Sequence, residues 1–146
     1  MIRFTLKRLI DRPIEEVFEQ LADIDGYRDW MSREGLFRDS GKMSEGPTEE
    51  GTSFYDQARF GRLRGVVTEL DSPNRIAFRQ VLRRDDKPVF ESRPSYTLKA
   101  VGNGTSVRQT AEGELRGMYK LLEPVIYPIA RSERKRVLDS LESSLT

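Results

Sequence analysis

Five consecutive stretches between residues 52 and 115 alternate apolar and polar side chains, with only short polar turns between them. A period of two residues is typical of a strand with one buried face. The predicted strands span 52–60, 63–70, 75–83, 88–101 and 105–115. Because strands joined by short turns pair antiparallel, the sequence predicts an antiparallel meander.

The segments before this meander predict one more strand and one or two short helices. Residues 2–10 alternate, and the apolar residues of 14–24 recur at helical spacing after Pro13. Residues 27–30 predict a second short helical turn. Residues 34–42 are ambiguous, with a short edge strand as one interpretation.

After the meander, the apolar residues return to a helical period. They are Leu121, Leu122, Val125, Ile126, Ile129, Val137, Leu138, Leu141 and Leu145, and they predict one long C-terminal helix. The charged residues between them, Arg131, Arg134, Lys135 and Arg136, are expected to face water, although a basic stretch also suits an acidic partner.

The order of these elements predicts an α+β fold in one domain over residues 1–146. A sheet this long needs its apolar face covered, and only the last helix is long enough to cover it. Two arrangements remain open, because helix and sheet either fill one another as a solid core or leave a cavity between them.

Composition excludes several kinds of chemistry. The chain has no cysteine and no histidine, so thiolate nucleophiles, disulfides and the commonest metal ligands are missing. We expect neither a metal nor a cofactor. The 25 basic and 24 acidic residues nearly cancel, which argues against nucleic acid as a partner. No apolar run approaches a membrane span, and we expect a cytoplasmic location.

Polar side chains interrupt the predicted inward face of the sheet. Gln80 follows Phe78 on that face, Ser92 and Tyr96 follow Phe90, and Gln109 lies on the last strand. A buried polar group without a partner costs about 1–3 kcal/mol. A cavity that holds water or a ligand's oxygen atoms explains the four polar residues, and so does mutual hydrogen bonding.

Asp56 depends on the register of the strand over 52–60. If Phe54 faces the interior, then Asp56 does too, and desolvation would raise its pKa and make it a candidate acid or base. The opposite register points Tyr55 inward. An exposed carboxylate paired with an arginine is the commoner outcome for such a residue, and we favour it.

Two prolines lie within the predicted C-terminal helix. Pro124 and Pro128 would each delete one helical hydrogen bond and bend the axis, which leaves room beside the sheet. Alternatively, the regular helix begins only after Pro124. Tyr27 and Trp30 either cap the mouth of a cavity or anchor their loop on the core.

Short motifs spread along the chain resemble the START-like (SRPBCC) superfamily, and specifically its polyketide cyclase/dehydrase and lipid transport branch. They are Ile10-Asp11-Arg12-Pro13-Ile14-Glu15-Glu16-Val17-Phe18, Leu21-Ala22-Asp23 with Tyr27 and Trp30, Glu50-Gly51-Thr52, the hairpin over 69–78, and Gly102-Asn103-Gly104-Thr105. The resemblance implies a helix-grip fold, as in Bet v-like proteins. In this fold a curved antiparallel sheet of six to seven strands wraps around the last helix and leaves a hydrophobic cavity between them. These motifs are turns and caps, so they do not specify an activity.

Three functions follow from this resemblance and the residue pattern. The first is a carrier or sensor of a small hydrophobic molecule such as a polyketide, lipid or quinone. The second is an aromatase/cyclase or dehydratase that acts without metal or histidine, with Asp56 and Tyr96 as candidate catalytic residues. The third is a protein-interaction module, and the sequence leaves a homodimer open. The predicted cavity residues are Trp30, Phe54, Phe78, Gln80, Phe90, Ser92, Tyr96, Gln109, Leu122, Val125, Ile126 and Ile129.

Overall fold

Seven strands form one antiparallel sheet in the computed structural model, which describes residues Met1–Thr146. The strands are β1 (Ile2–Ile10), β2 (Phe37–Lys42), β3 (Ser53–Ala58), β4 (Gly61–Asp71), β5 (Arg75–Arg84), β6 (Lys87–Val101) and β7 (Gly104–Leu115). Their order in space is β1-β7-β6-β5-β4-β3-β2. The predicted meander is confirmed, and the ambiguous segment over 34–42 contains the edge strand β2.

Short helices follow β1, and a longer helical segment follows β7. The first group consists of α1 (Ile14–Ala22), a 3-10 turn (Ile24–Gly26) and α2 (Tyr27–Trp30). The C-terminal segment consists of a 3-10 turn (Gly117–Leu122) and α3 (Glu123–Leu145). This arrangement confirms the predicted α+β helix-grip fold. No helix is long and apolar enough to cross a membrane.

The start of α3 decides between the two interpretations of Pro124. The α-helix begins at Glu123, so Pro124 lies in its first turn, where the missing N–H would have no helical partner anyway. Only Pro128 lies inside the helix and deletes a hydrogen bond, which would run to the carbonyl of Pro124. The turn before Glu123 is a 3-10 helix rather than a continuation of α3.

The main core lies where α1 and the second half of α3 meet the sheet. Its members are Ile10, Val17, Phe18, Leu21, Ile24, Phe54, Val67, Ile76, Phe78, Tyr96, Leu98, Val107, Val137, Leu138 and Leu141. Arg8 on β1 ties α3 to the edge of the sheet, with ion pairs of 2.6 Å to Asp139 and 2.9 Å to Glu142. This end of the fold is solid.

The convex face of the sheet carries cross-strand ion pairs. Glu91 on β6 accepts hydrogen bonds from Arg79 on β5, at 2.9 Å, and from Arg93. Partial burial opposes ionisation of Glu91, but these two arginines prevail and hold its pKa below the ordinary value. The charged face is therefore a paired, solvated surface.

Candidate functional site

A cavity of about 430 Å³ lies between the concave face of the sheet and the first half of α3. Hydrophobic residues make up 23 of the 33 residues that line it, so an apolar guest would gain free energy by moving from water into it. The wall includes nine of the twelve predicted cavity residues. These are Phe54, Phe78, Gln80, Phe90, Ser92, Tyr96, Leu122, Ile126 and Ile129.

An aromatic row crosses the sheet side of the cavity. Phe54 on β3 meets Phe78 on β5 edge to face at 5.5 Å, and Phe78 meets Tyr96 on β6 in the same way at 6.4 Å. Phe54 lies over Gly65 of β4, where a Cβ atom would come within 2.4 Å of the ring. Gly65 therefore lets Phe54 lie flat against the sheet and keeps its ring from entering the cavity further.

Asp56 faces the cavity, and our preference for an exposed, arginine-paired carboxylate is wrong. Alternation on β3 places Phe54, Asp56 and Ala58 inward, while Tyr55 lies outside under the guanidinium of Arg62. The register thus follows the aromatic and alanine residues, since reversing it would expose Phe54.

The environment of Asp56 favours its neutral form. Burial raises the pKa of Asp56 to about 6, against the lowering effects of nearby Arg134 and of a hydrogen bond from Gln80. Gln80 Nε2 donates to Asp56 Oδ2 over 3.1 Å. A carboxyl group with this pKa exchanges its proton near neutral pH, as an acid–base catalyst must.

The other inward polar residues were explained either by hydrogen bonds to one another or by a cavity, and each explanation applies to some of them. Gln109 is fully buried, does not line the cavity, and donates through Nε2 to Tyr96 Oη over 2.9 Å. Since Tyr96 Oη accepts this bond, its own proton is free to be donated into the cavity. Ser92 borders the cavity and has no hydrogen-bond partner in the protein. Pairing within the protein therefore accounts for Gln80, which donates to Asp56, and for Tyr96 with the amide nitrogen of Gln109. The buried Oε1 of Gln109 has no partner, and the cavity accounts for Ser92.

Two further predicted cavity residues lie elsewhere, and their prediction is wrong. Trp30 packs edge to face on Tyr27 at 5.3 Å and borders a separate groove on the surface. Of this pair, Tyr27 is the residue that lines the cavity, and its hydroxyl donates to the carbonyl of Leu21. Val125 is 60% exposed, because successive residues of an α-helix point about 100° apart and Ile126 is the one that lines the cavity.

Sequence reasoning missed several residues of the wall, and Arg134 is the most informative. It was expected to face water, but it lines the cavity. Its spacing could have revealed this, because Ile126, Ala130, Arg134 and Val137 recur at intervals of four and three residues on one helical stripe. A charged residue on an apolar stripe was the available signal.

The separate groove beside Trp30 has a different chemistry. Only one of its 12 lining residues is hydrophobic, and the others include Asp29, Asp139 and several serines. It suits water better than an apolar guest. The structure contains no cluster of three or more acidic side chains that could hold a metal ion.

Solved structures share this architecture. The similar folds include a START superfamily protein from Mycobacterium smegmatis (TM-score 0.77, 12% identity, 99% of each chain covered). They also include a protein from Mesorhizobium loti (0.74, 17%, 98% of this chain and 96% of that chain) and one from Thermus thermophilus (0.73, 19%, 97% and 94%). At these identities the likeness concerns the fold alone. A comparison with curated proteins finds no match.

The fold and its interior cavity define a START-like helix-grip domain. A model of the family described as "polyketide cyclase / dehydrase and lipid transport" matches residues 1–146, and the chain belongs to that family.

Proposed function

We propose that residues 1–146 act as one unit that binds a small hydrophobic molecule in the cavity, as a carrier or sensor. The observation that carries this proposal is the space of about 430 Å³, bounded mainly by aromatic and aliphatic side chains, that the protein leaves unfilled. Well-packed interiors rarely leave voids larger than a water molecule. A polyketide-, lipid- or quinone-like molecule matches this space in polarity.

The few polar groups on the wall support an oriented guest. Besides the charged Asp56 and Arg134, Ser92, the Gln80 amide and the Tyr96 hydroxyl border a largely apolar surface. Such isolated groups fix the orientation of a ligand's oxygen atoms, while the apolar wall supplies most of the binding free energy. A carrier needs no more than this.

The experiment combines detection of a native guest with a matched pair of variants. Native mass spectrometry of the protein purified from its own cells should show a bound mass, which solvent extraction then releases for identification. Ser92→Phe places a ring inside the cavity and should abolish that mass. Ser95→Phe makes the same change on the opposite face of β6, outside the cavity, and should retain it. A guest retained by both variants would contradict binding in this cavity.

The alternative function is a cyclase or dehydratase that acts in the same cavity, and Asp56 favours it. Above pH 6 the ionised carboxylate could take a proton from a carbon next to a ketone. The resulting enolate carbon would attack a second carbonyl, whose oxygen would take the free proton of Tyr96 Oη. The cavity would hold the folded chain in the geometry for ring closure.

A synthetic diketone that closes by intramolecular aldol condensation tests this alternative. Asp56→Asn and Tyr96→Phe keep the size of each side chain and should each lower the rate of ring closure by about 100-fold or more if the groups act as base and acid. Their affinity for an unreactive analogue should hardly change. Equal rates in the wild type and both variants would leave the carrier function standing alone.

The third candidate, an interaction module that includes a homodimer, has one supporting feature. Met118, Leu121 and Val125 are 85%, 81% and 60% exposed at the start of the C-terminal segment, and such exposed apolar side chains are typical of contact surfaces. Sedimentation velocity over a range of concentrations tests it. A dimer that Leu121→Ser dissociates supports this surface, and a monomer at all concentrations contradicts it.

The cytoplasmic location stays a prediction.

A further inference from the structure

Arg134 is an arginine held at the cavity wall without a partner. It lies on the stripe of α3 that also presents Ile126, Ala130 and Val137 to the interior. Its side chain is half-buried, and its guanidinium forms no hydrogen bond, ion pair or cation–π contact within the protein. The guanidinium nitrogens reach solvent, so its five N–H donors are available to an acceptor that enters the cavity.

The neighbouring Glu133 does not serve as that partner. Its carboxylate accepts the backbone N–H groups of Leu36, at 3.0 Å, and Phe37, at 3.3 Å. It also faces Arg136 at 3.7 Å. Glu133 is thus committed to holding the loop before β2.

The other charged residues of the wall are also paired. Asp56 accepts from Gln80, and it forms no ion pair with Arg134 within 4 Å. Arg84 donates to the carbonyl of Phe60 over 2.7 Å, and Glu112 faces Arg3 and Arg93 on the convex side. Arg134 lies near enough to lower the pKa of Asp56, but burial outweighs this effect and raises that pKa to about 6.

Arg134 differs from the other half-buried arginines of the chain, which all have partners within the protein. Each of them has an ion pair or a hydrogen bond, and they are Arg8, Arg38, Arg75, Arg93 and Arg136. Half-burying a guanidinium removes hydration that only charge-assisted hydrogen bonds replace well. An acceptor from outside the protein would therefore give Arg134 the pairing that these other arginines find within it.

We propose that Arg134 binds the carboxylate of the cavity's ligand, so that the ligand class is a hydrophobic carboxylic acid. This inference rests on the proposed binding function and narrows it. A planar carboxylate matches the fork of N–H donors in a bidentate arrangement. A phosphate carries more charge and would need further cations, whereas the only other cation on the wall, Arg84, is exposed and engaged with Phe60. The apolar wall accommodates the rest of the molecule.

Octanoate and octanol test the proposal, because they differ only in the head group. Isothermal titration calorimetry at pH 7 should show that the wild type binds octanoate about 10- to 100-fold more tightly than octanol, as a hydrogen-bonded charge pair predicts. In Arg134→Gln this preference should disappear, with octanol affinity within about twofold of the wild type. Lys135→Gln removes the same charge one residue along, on a side chain paired with Asp139 in water, and should keep the preference.

Each outcome has a defined meaning. Octanol binding by Arg134→Gln shows that its cavity is intact, so loss of the carboxylate preference then supports the proposal. If Arg134→Gln does not fold, Arg134→Lys keeps the charge without the fork, and a reduced preference supports the same conclusion. Equal affinity of the wild type for both molecules overturns the carboxylate assignment and leaves the binding function intact. Failure of both molecules to bind overturns the binding function as well.

Discussion

The two halves of α3 carry the same apolar period but lie in opposite environments. In the second half, Val137, Leu138 and Leu141 are at most 4% exposed and pack in the main core, and Val137, nearest the first half, also borders the cavity. In the first half, Ile129 is 45% exposed although it borders the interior. The difference comes from α1, because its residues Val17, Phe18 and Leu21 pack in the core against the second half of α3 and not against the first half.

This comparison shows what makes an interior hollow in a helix-grip fold. The sheet is curved along its whole length, but only one end receives a second helix to fill the space. Hydrophobic burial stabilises the fold at that end, and the other end remains available for a guest. Stability and binding thus belong to different halves of the same helix.

Truncation of one apolar side chain in each half of α3 should give the largest contrast. Leu138→Ala empties a fully packed site and should lower the free energy of unfolding by about 3–4 kcal/mol. Ile129→Ala removes similar volume from the wall of an existing cavity and should cost less than about 1 kcal/mol. Urea denaturation measures both. Equal losses would contradict the division of α3 into a packed half and an open half.

Asp56→Asn should reveal how much stability the protein loses by burying an ionisable carboxyl group in the cavity wall. Its pKa of about 6 lies above the ordinary 3.8, so the folded state binds this proton more tightly than the unfolded state. The stability linked to this group is therefore complete below about pH 4 and is lost as the pH rises through 6. We expect the variant, relative to the wild type, to gain about 2 kcal/mol between pH 4 and pH 8.

Denaturation midpoints at pH 4, 6 and 8 measure this gain. The Gln80, Arg134 and Glu133 groups that face Asp56 are unchanged in the variant, and asparagine still accepts from Gln80 Nε2. A constant difference between the two proteins at all three pH values would show that Asp56 is not desolvated.

Arg8→Gln should have the smallest effect, at the packed end. Hydrogen bonds from Arg8 hold the pKa of Asp139 below its usual range, but Asp139 is 46% exposed and solvent screens the pair. We expect a loss of about 0.5–1 kcal/mol at pH 7. This loss should shrink in high salt, and as the pH falls far enough to protonate Asp139.

Thermal denaturation in low and high salt checks this expectation, with Arg108→Gln as the control because Arg108 is exposed on β7 without an ion pair. A salt-independent loss in Arg8→Gln would point to packing of its aliphatic stem instead.

Much of the fold could be predicted because local patterns determine it. Alternation and turn residues located the strands, and on β5, β6 and β7 they also identified the inward faces. The cavity wall on this side, including Phe78, Gln80, Ser92 and Tyr96, followed from the same period of two. Register on a half-buried sheet is strongly specified by such a pattern.

The remaining features depend on how elements meet in space. The orientation of Asp56 was decided by Phe54 and Ala58 together, and the sequence offered both registers. The exposure of Val125 depends on how α3 is rotated about its axis against the sheet. Periodicity placed Ile129 and Val137 on similar faces but could not reveal that α1 fills the space beside only one of them.

The central claim is that the first half of α3 and the sheet enclose space that an apolar guest occupies. A crystal structure of the protein purified from its own cells tests it most directly. We predict continuous electron density among Phe54, Phe78 and Ile126 that no protein atom explains, with a planar head group beside Arg134. Side chains closing that space, with α3 resting on the sheet along its full length, would contradict the account.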